Sequence, residues 1–270
     1  MNIDKYLNYL KEKEYSEGSI NTIRKVLKNI PSPLTEERLN AYQKEISKLK
    51  TTTRISYLSK LKHYLLYQNK SKLAKKIEMP RLEKRLPQNI PTEEAVKRVI
   101  EGIDTSTYMG IRDRAILELL YSTGMRRGEI SSLTVSDIDY VGGIVRVSKG
   151  KGKKDRLIPV GQKALYWLDR YIKKVRDVIV EKGESRLFVT ERGKEISPNM
   201  MYNIIKKYKY NPHKYRHAYA THLLRGGMKE TSVSKLLGHE KLTSTQVYTS
   251  VTITDLKKSY DKYYRRDRWK

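Results

Sequence analysis

The stretch PRLEKRLPQNIP, residues 80–91, constrains this chain more than any other feature. Its three prolines each remove a backbone donor and fix a φ angle, and neither a helical nor a strand period runs through it. No element continues across such a segment, so the 270 residues are divided into a part before it and a part after it. Each part is long enough to bury a core of its own. The expected boundaries are a helical unit over residues 1–79, a linker over 80–91 and a second unit over 92–270, with a C-terminal tail from about residue 250.

Within the first unit the apolar residues recur at helical spacing. Ile3, Tyr6, Leu7 and Leu10 form one stripe, and Ile20, Ile23, Leu27 and Ile30 a second. Pro31 and Pro33 interrupt the pattern. Thr35 then reads as an N-cap, with Leu34 and Leu39 placed as a hydrophobic staple ahead of Tyr42, Ile46 and Leu49. A fourth helix is expected from near Thr53 and a short fifth from Lys72 to Glu78.

The second unit opens with Thr92 capping EEAVKRVIEGI, followed by a helix that stops at Gly124 and by a short helix RRGEISSL. The period then changes. Residues Ile138–Val141, the pair Gly142-Gly143 and Ile144–Val147 read as a hairpin, and RLIPV as a third strand after the loop SKGKGKKD. A long helix from Gln162 to about Glu181, a strand at LFVT, a helix from Pro198 to about Tyr208 and further helices complete the pattern. The fold class is therefore mostly α with a small three-stranded antiparallel sheet, not a βαβ succession.

Composition narrows the partner. The formal charge of +27 and the pI near 9.9 call for a polyanion, and nucleic acid is the expected one. No apolar run approaches the length of a membrane span, and the N-terminus lacks the apolar core of a signal peptide. A cytoplasmic, nucleoid-associated protein is the corresponding expectation. The absence of cysteine removes thiolate catalysis and Cys-rich zinc sites. Twenty-one tyrosines against one phenylalanine mean that a lone tyrosine carries almost no information, since most serve as amphipathic packing groups.

Chemistry concentrates late in the chain. Four of the five histidines, His213, His217, His222 and His239, lie between Asn211 and Tyr248. Asn211-Pro212 is a helix start, which places His213 and Arg216 three residues apart on one face of that helix's first turn, suited to a phosphate oxygen. The bland alternative is a packed histidine and an arginine paired with a carboxylate. Arg126 and Glu129 repeat the spacing at another helix start, where the alternative is an ordinary surface ion pair. Lys151 sits between two glycines, where the backbone can approach a nucleic-acid strand and the ammonium can protonate a leaving oxygen; the alternative is a simple phosphate contact. His213 and His217 have zinc-ligand spacing, but no neighbouring carboxylate cluster completes a site. His217 and His222 are expected in the core or in hydrogen bonds.

Taken together, TGMRRGEISSL, GKGKKDRLIPV, NPHKYRHAYATHLL and LLGHEKLTSTQVYTSV occur in an order and at spacings that resemble the tyrosine recombinases of the phage integrase family, most closely the Xer-type resolvases. The resemblance covers the whole second unit, and the first is similar to the family's helical core-binding domain. It implies that Tyr248 is the nucleophile on a scissile phosphate, giving a 3′-phosphotyrosyl link and a free 5′-hydroxyl. Arg126 and Arg216 match the arginines that hold the non-bridging oxygens, and His239 a third donor there. His213 matches the acceptor of the tyrosine proton, supported by Glu129, and Lys151 the general acid. The implied partner is duplex DNA, bound by a homo-tetramer on paired sites, with no cofactor, metal, membrane or small-molecule substrate. The implied role is resolution of chromosome or plasmid dimers; the alternatives are integration of a mobile element and a non-catalytic DNA-binding protein. Tyr215, Tyr219 and Ser250 depart from the family's usual Leu, Phe and His. For the tail, the resemblance implies docking on a neighbouring protomer, and the plainer expectation is a frayed, DNA-contacting end.

Overall fold

The computed structural model describes residues 3–82, 89–148, 155–238 and 253–268. The chain divides into two compact units, 1–86 and 87–270. Part of the proline-rich stretch, residues 83–88, lies outside the described residues.

In the first unit, α1 (Ile3–Glu12), α2 (Glu17–Lys28), α3 (Glu36–Glu45), α4 (Thr51–Tyr67) and the short α5 (Ser71–Lys75) bury the apolar stripes read from the sequence. Thr35 caps α3, its side chain accepting from the Arg38 amide at 3.3 Å. The third helix gives way at Ile46 to a 3₁₀ turn over Ile46–Lys48, earlier than the apolar spacing to Leu49 implies; Leu49 is extended and 42% exposed. Tyr6 lies at the centre, its ring 5.1 Å from that of Tyr64.

The second unit is arranged around α7 (Tyr108–Thr123), preceded by α6 (Glu93–Glu101). Thr92 and Thr107 cap the two helices. Every residue of α7 from Gly110 to Thr123 is buried, including Arg112, Asp113, Arg114 and Glu118. Charges survive there because each is paired. Arg112 donates to Asp113 at 2.8 Å and Tyr208 donates to the other oxygen of Asp113 at 2.8 Å. The helix ends at Gly124 with φ +59; a Cβ there would fall 2.4 Å from the Tyr219 ring, so glycine is required on both counts.

After α8 (Arg127–Ser132) comes the antiparallel sheet β1 (Ile138–Asp139), β2 (Ile144–Val147) and β3 (Arg156–Pro159), in that spatial order. Val145 faces Ile158 and Val147 faces Arg156 across the β2–β3 pair. The first strand is shorter than its sequence pattern because Asp139 accepts from the Gly142 amide at 2.8 Å, turning the chain two residues early. The expected long helix divides into α9 (Gln162–Tyr171), a π-helical turn (Ile172–Arg176) and α10 (Asp177–Ile179). The LFVT segment is not a strand. Leu187, Phe188 and Val189 are buried core residues, and the pairings nearby are the isolated bridges Thr134–Arg186 and Val189–Glu195. Four helices follow: α11 (Pro198–Lys207), α12 (Pro212–Arg225), α13 (Glu230–Leu237) and α14 (Ile253–Tyr263).

The described part of the tail, residues 253–268, is not frayed. Tyr260 and Tyr264 join the core of the second unit, and Arg266 is 1% exposed. Arg266 donates to Glu118 Oε2 at 2.9 Å and to Glu101 at 2.9 Å, and its Nη2 also reaches Glu118. The Asp267 carboxylate receives the first two amides of α9, Gln162 at 2.8 Å and Lys163 at 2.9 Å. The frayed, DNA-contacting end expected as the plainer reading therefore gives way to a segment that packs on its own chain. No described helix is long and apolar enough to cross a membrane.

Candidate active site

Four chain segments meet near the C-terminal end of α7. Gly124 turns the chain out of that helix, and Arg126 immediately becomes the N-cap residue of α8. Glu129, in the first turn, accepts from the Arg126 amide at 2.7 Å and from the Arg126 guanidinium at 3.1 Å. The three-residue spacing seen in the sequence is thus a helix-start contact that also orients a guanidinium, whose side chain remains 46% exposed.

The second segment is α12. Asn211 caps it, accepting from the Lys214 amide at 3.0 Å, and Pro212 occupies its first turn. Arg216 is buried and reaches two carbonyl oxygens, Gly124 at 2.6 Å and Leu237 at 2.7 Å. It therefore joins the C-terminal end of α7 to that of α13. Burial first, then the charge of Arg126, lowers its pKa to about 10, which leaves it cationic at neutral pH. His213 is exposed one turn earlier. Its pKa is lowered by partial burial, then by His217, Arg216 and the other nearby cations, which favours the neutral, proton-accepting ring.

Arg126, Glu129, Pro212, His213 and Arg216 line one cleft of about 370 Å³, together with Met125, Arg127 and Gly128. The candidates from two distant sequence motifs thus share one cavity. Lys151, His239 and Tyr248 lie outside the described residues. What is described is the chain leading to two of them. The β2–β3 ladder closes at Val147–Arg156, flanking the loop with Lys151. Gly238, with φ +65, caps α13 directly before His239.

One participant escaped the sequence reading. Arg156, the first residue of β3, makes a two-pronged contact with Glu129, 2.8 Å from each guanidinium nitrogen to its own carboxylate oxygen. Burial alone would raise the Glu129 pKa, but the hydrogen bonds from Arg156 and the Arg126 amide outweigh it and lower it to about 2. The signal was the strand's alternation: Arg156 shares its face with buried Ile158, while Leu157 points outward. An arginine on an inward face needs a buried partner.

The other histidines separate. His222 is buried between the Tyr121 hydroxyl, at 2.7 Å from Nδ1, and the Pro91 carbonyl, at 3.0 Å from Nε2, which is the hydrogen-bonding duty expected of it. Burial lowers its pKa, so it is neutral and donates from Nε2 to the carbonyl. His217 is not in the core; it is exposed on α12, one turn beyond His213. Among the described residues no cluster of His, Asp and Glu has the arrangement of a metal site.

Comparison with known proteins fits this geometry. The sequence matches the phage integrase family over residues 90–254. It is 32% identical over 295 residues to the tyrosine recombinase XerD of Staphylococcus haemolyticus, with 98% of each chain covered. It is 39% identical over 207 residues to the tyrosine recombinase XerC 2 of Ralstonia nicotianae, which covers 74% of this chain and 58% of that protein. Among solved structures, the Tn1549 transposon integrase in complex with a circular intermediate DNA has a TM-score of 0.70 over 97% of this chain and 95% of that one, at 15% identity, a likeness of fold. The chain belongs to the phage integrase family, as an Xer-type tyrosine recombinase that cleaves and rejoins DNA at specific sites.

Proposed function

We propose that Tyr248 is the nucleophile of this recombinase and that the cleft between α8 and α12 holds the scissile phosphate. A phenol with a pKa of about 10 attacks poorly until a neighbour takes its proton. In the proposed step the Tyr248 oxygen bonds to phosphorus and its proton passes to the neutral His213. The bond to the 5′ oxygen breaks, and Lys151 protonates that oxygen. The product is a 3′-phosphotyrosyl link with a free 5′-hydroxyl. The reverse attack by a 5′-hydroxyl from the recombining strand restores the DNA, so bond energy is conserved and neither ATP nor a metal ion is needed. Arg126, Arg216 and His239 donate to the non-bridging oxygens as charge develops there. Glu129 holds Arg126.

The observation that carries this reading is the convergence of Arg126, Glu129, His213 and Arg216 on one cleft, although the motifs that supply them are some ninety residues apart. The biological role proposed is resolution of chromosome or plasmid dimers in the cytoplasm by a homo-tetramer on two paired sites. It is supported by full-length similarity to a protein named XerD.

Incubation with a nicked suicide duplex tests the chemistry. The unmutated protein should accumulate a covalent adduct with or without EDTA, and Tyr248→Phe none. An adduct of undiminished yield in Tyr248→Phe would move the nucleophile elsewhere.

A further inference from the structure

We propose that Arg156 is a positioning residue for strand cleavage: it fixes Glu129, and through Glu129 the Arg126 guanidinium, against the segment that enters His239. The inference rests on the reading above, in which Arg126 binds the scissile phosphate.

Each Glu129 oxygen is shared. Oε2 takes the Arg126 amide at 2.7 Å and one Arg156 nitrogen at 2.8 Å; Oε1 takes the Arg126 guanidinium at 3.1 Å and the other Arg156 nitrogen at 2.8 Å. The two arginines are not equivalent. The Arg126 side chain is 46% exposed, free to meet a ligand, whereas Arg156 is 11% exposed and turned inward. A planar fork that satisfies both carboxylate oxygens sets the carboxylate plane, and a lysine cannot reproduce it. That plane decides where the Arg126 guanidinium points.

The other face of Arg156 meets α13. A Cβ on Gly238 would lie 3.1 Å from each of Cδ, Nε and Cζ of Arg156, so the guanidinium rests directly on the glycine that ends α13 in the left-handed region. Arg156 also forms the last β2–β3 ladder pair, with Val147, beside the loop containing Lys151. One side chain therefore ties together the start of α8, the base of the lysine loop and the residue preceding His239. Its Nε is buried with no hydrogen-bond partner among the described residues.

The test uses the full-length protein, a nicked suicide duplex and single-turnover cleavage, with DNA affinity and melting measured in parallel. For Arg156→Gln we expect cleavage to fall about 10- to 100-fold, the range for misplacement of a catalytic group by about an ångström, with DNA affinity within about twofold. Arg156→Lys should fall between it and the unmutated enzyme. A further readout separates positioning from stability. Once its fork is gone, burial of Glu129 is opposed by fewer donors and its pKa rises, so Arg156→Gln should gain an extra loss of rate on the acid side, and Arg156→Gln/Glu129→Gln should lack that loss. Undiminished cleavage in either single variant would overturn the proposal. So would a loss that tracks melting or DNA affinity and leaves the pH profile unchanged. If Arg156→Gln fails to fold, the Arg156→Lys cleavage rate at normal DNA affinity decides. Failure of the underlying reading looks different: the unmutated enzyme would form no adduct, or Arg126→Gln would cleave at full rate.

Discussion

Two guanidinium clusters, one built on Arg114 and Glu118 within α7 and one just past its C-terminal end, differ in balance. In one, Arg114 and Arg266 meet Glu118 and Glu101, cation matched to anion, with Arg114, Arg266 and Glu118 fully or nearly enclosed. In the other, Arg126, Arg156 and Arg216 gather around Glu129, the one carboxylate that lines the cleft among the described residues, and the cleft beside them opens to solvent. A matched cluster satisfies itself and works as a fastener. An unmatched one is an incomplete structure until an anion arrives, because guanidiniums gathered at close range repel one another; at Arg216 the charge of Arg126 adds to the larger effect of burial in lowering the pKa. In this chain the surplus of positive charge, not the number of arginines, separates the cluster proposed to be catalytic from the structural one.

The matched cluster breaks most visibly through stability. Arg266→Gln leaves Glu118 buried with half its partners, a change that costs about 3–5 kcal/mol when one member of a buried pair is removed. For a unit of this size that corresponds to melting on the order of 10 °C lower. Differential scanning calorimetry would show it, and a shift under about 2 °C would mean that the tail contributes little to the fold.

The unmatched cluster has a pH signature. Glu129 is depressed from 4.5 to about 2, so its contribution to stability is fully present above the unfolded value and is lost as pH falls from about 4.5 through 2. The span corresponds to at most about 3 kcal/mol. Urea unfolding at pH 5 and pH 3 should show a drop that Glu129→Gln lacks; equal drops in both proteins would place the acid sensitivity elsewhere.

A smaller effect sharpens the contrast from the apolar side. The Tyr219 ring packs on Gly124, and its hydroxyl is buried with no partner among the described residues. Tyr219→Phe removes an unsatisfied polar group and should stabilise the second unit by roughly 1 kcal/mol. A destabilisation of that size would show that the hydroxyl has a partner.

How much of this was legible depended on the distance between partners. Helix starts were legible because their partners are local: Thr35, Thr92 and Asn211 each bond three residues ahead. The pairs Arg126–Glu129 and His213–Arg216 were legible for the same reason, and the order of the four motifs joined them into one site. What remained hidden was long-range. Nothing local distinguishes Arg266 from Arg265 beside it, yet Arg266 meets Glu118, 148 positions earlier in the chain. Arg156 sat inside a motif whose lysine drew the reading, and its partner Glu129 lies 27 residues away. LFVT has strand composition, but its burial comes from core contacts rather than a ladder, a distinction that β-propensity does not carry.

If the surplus of guanidinium beside Glu129 serves to meet a phosphate, Arg126→Gln exposes that role with the least disturbance to the fold. Arg126 is half exposed and joins no core contact, so its loss separates chemistry from folding. Covalent adduct formation on the nicked duplex should fall about 10²- to 10³-fold, the usual effect of removing one preorganised donor to developing charge. Melting should stay within about 2 °C of the unmutated protein. Undiminished adduct formation by a folded Arg126→Gln protein would contradict that role.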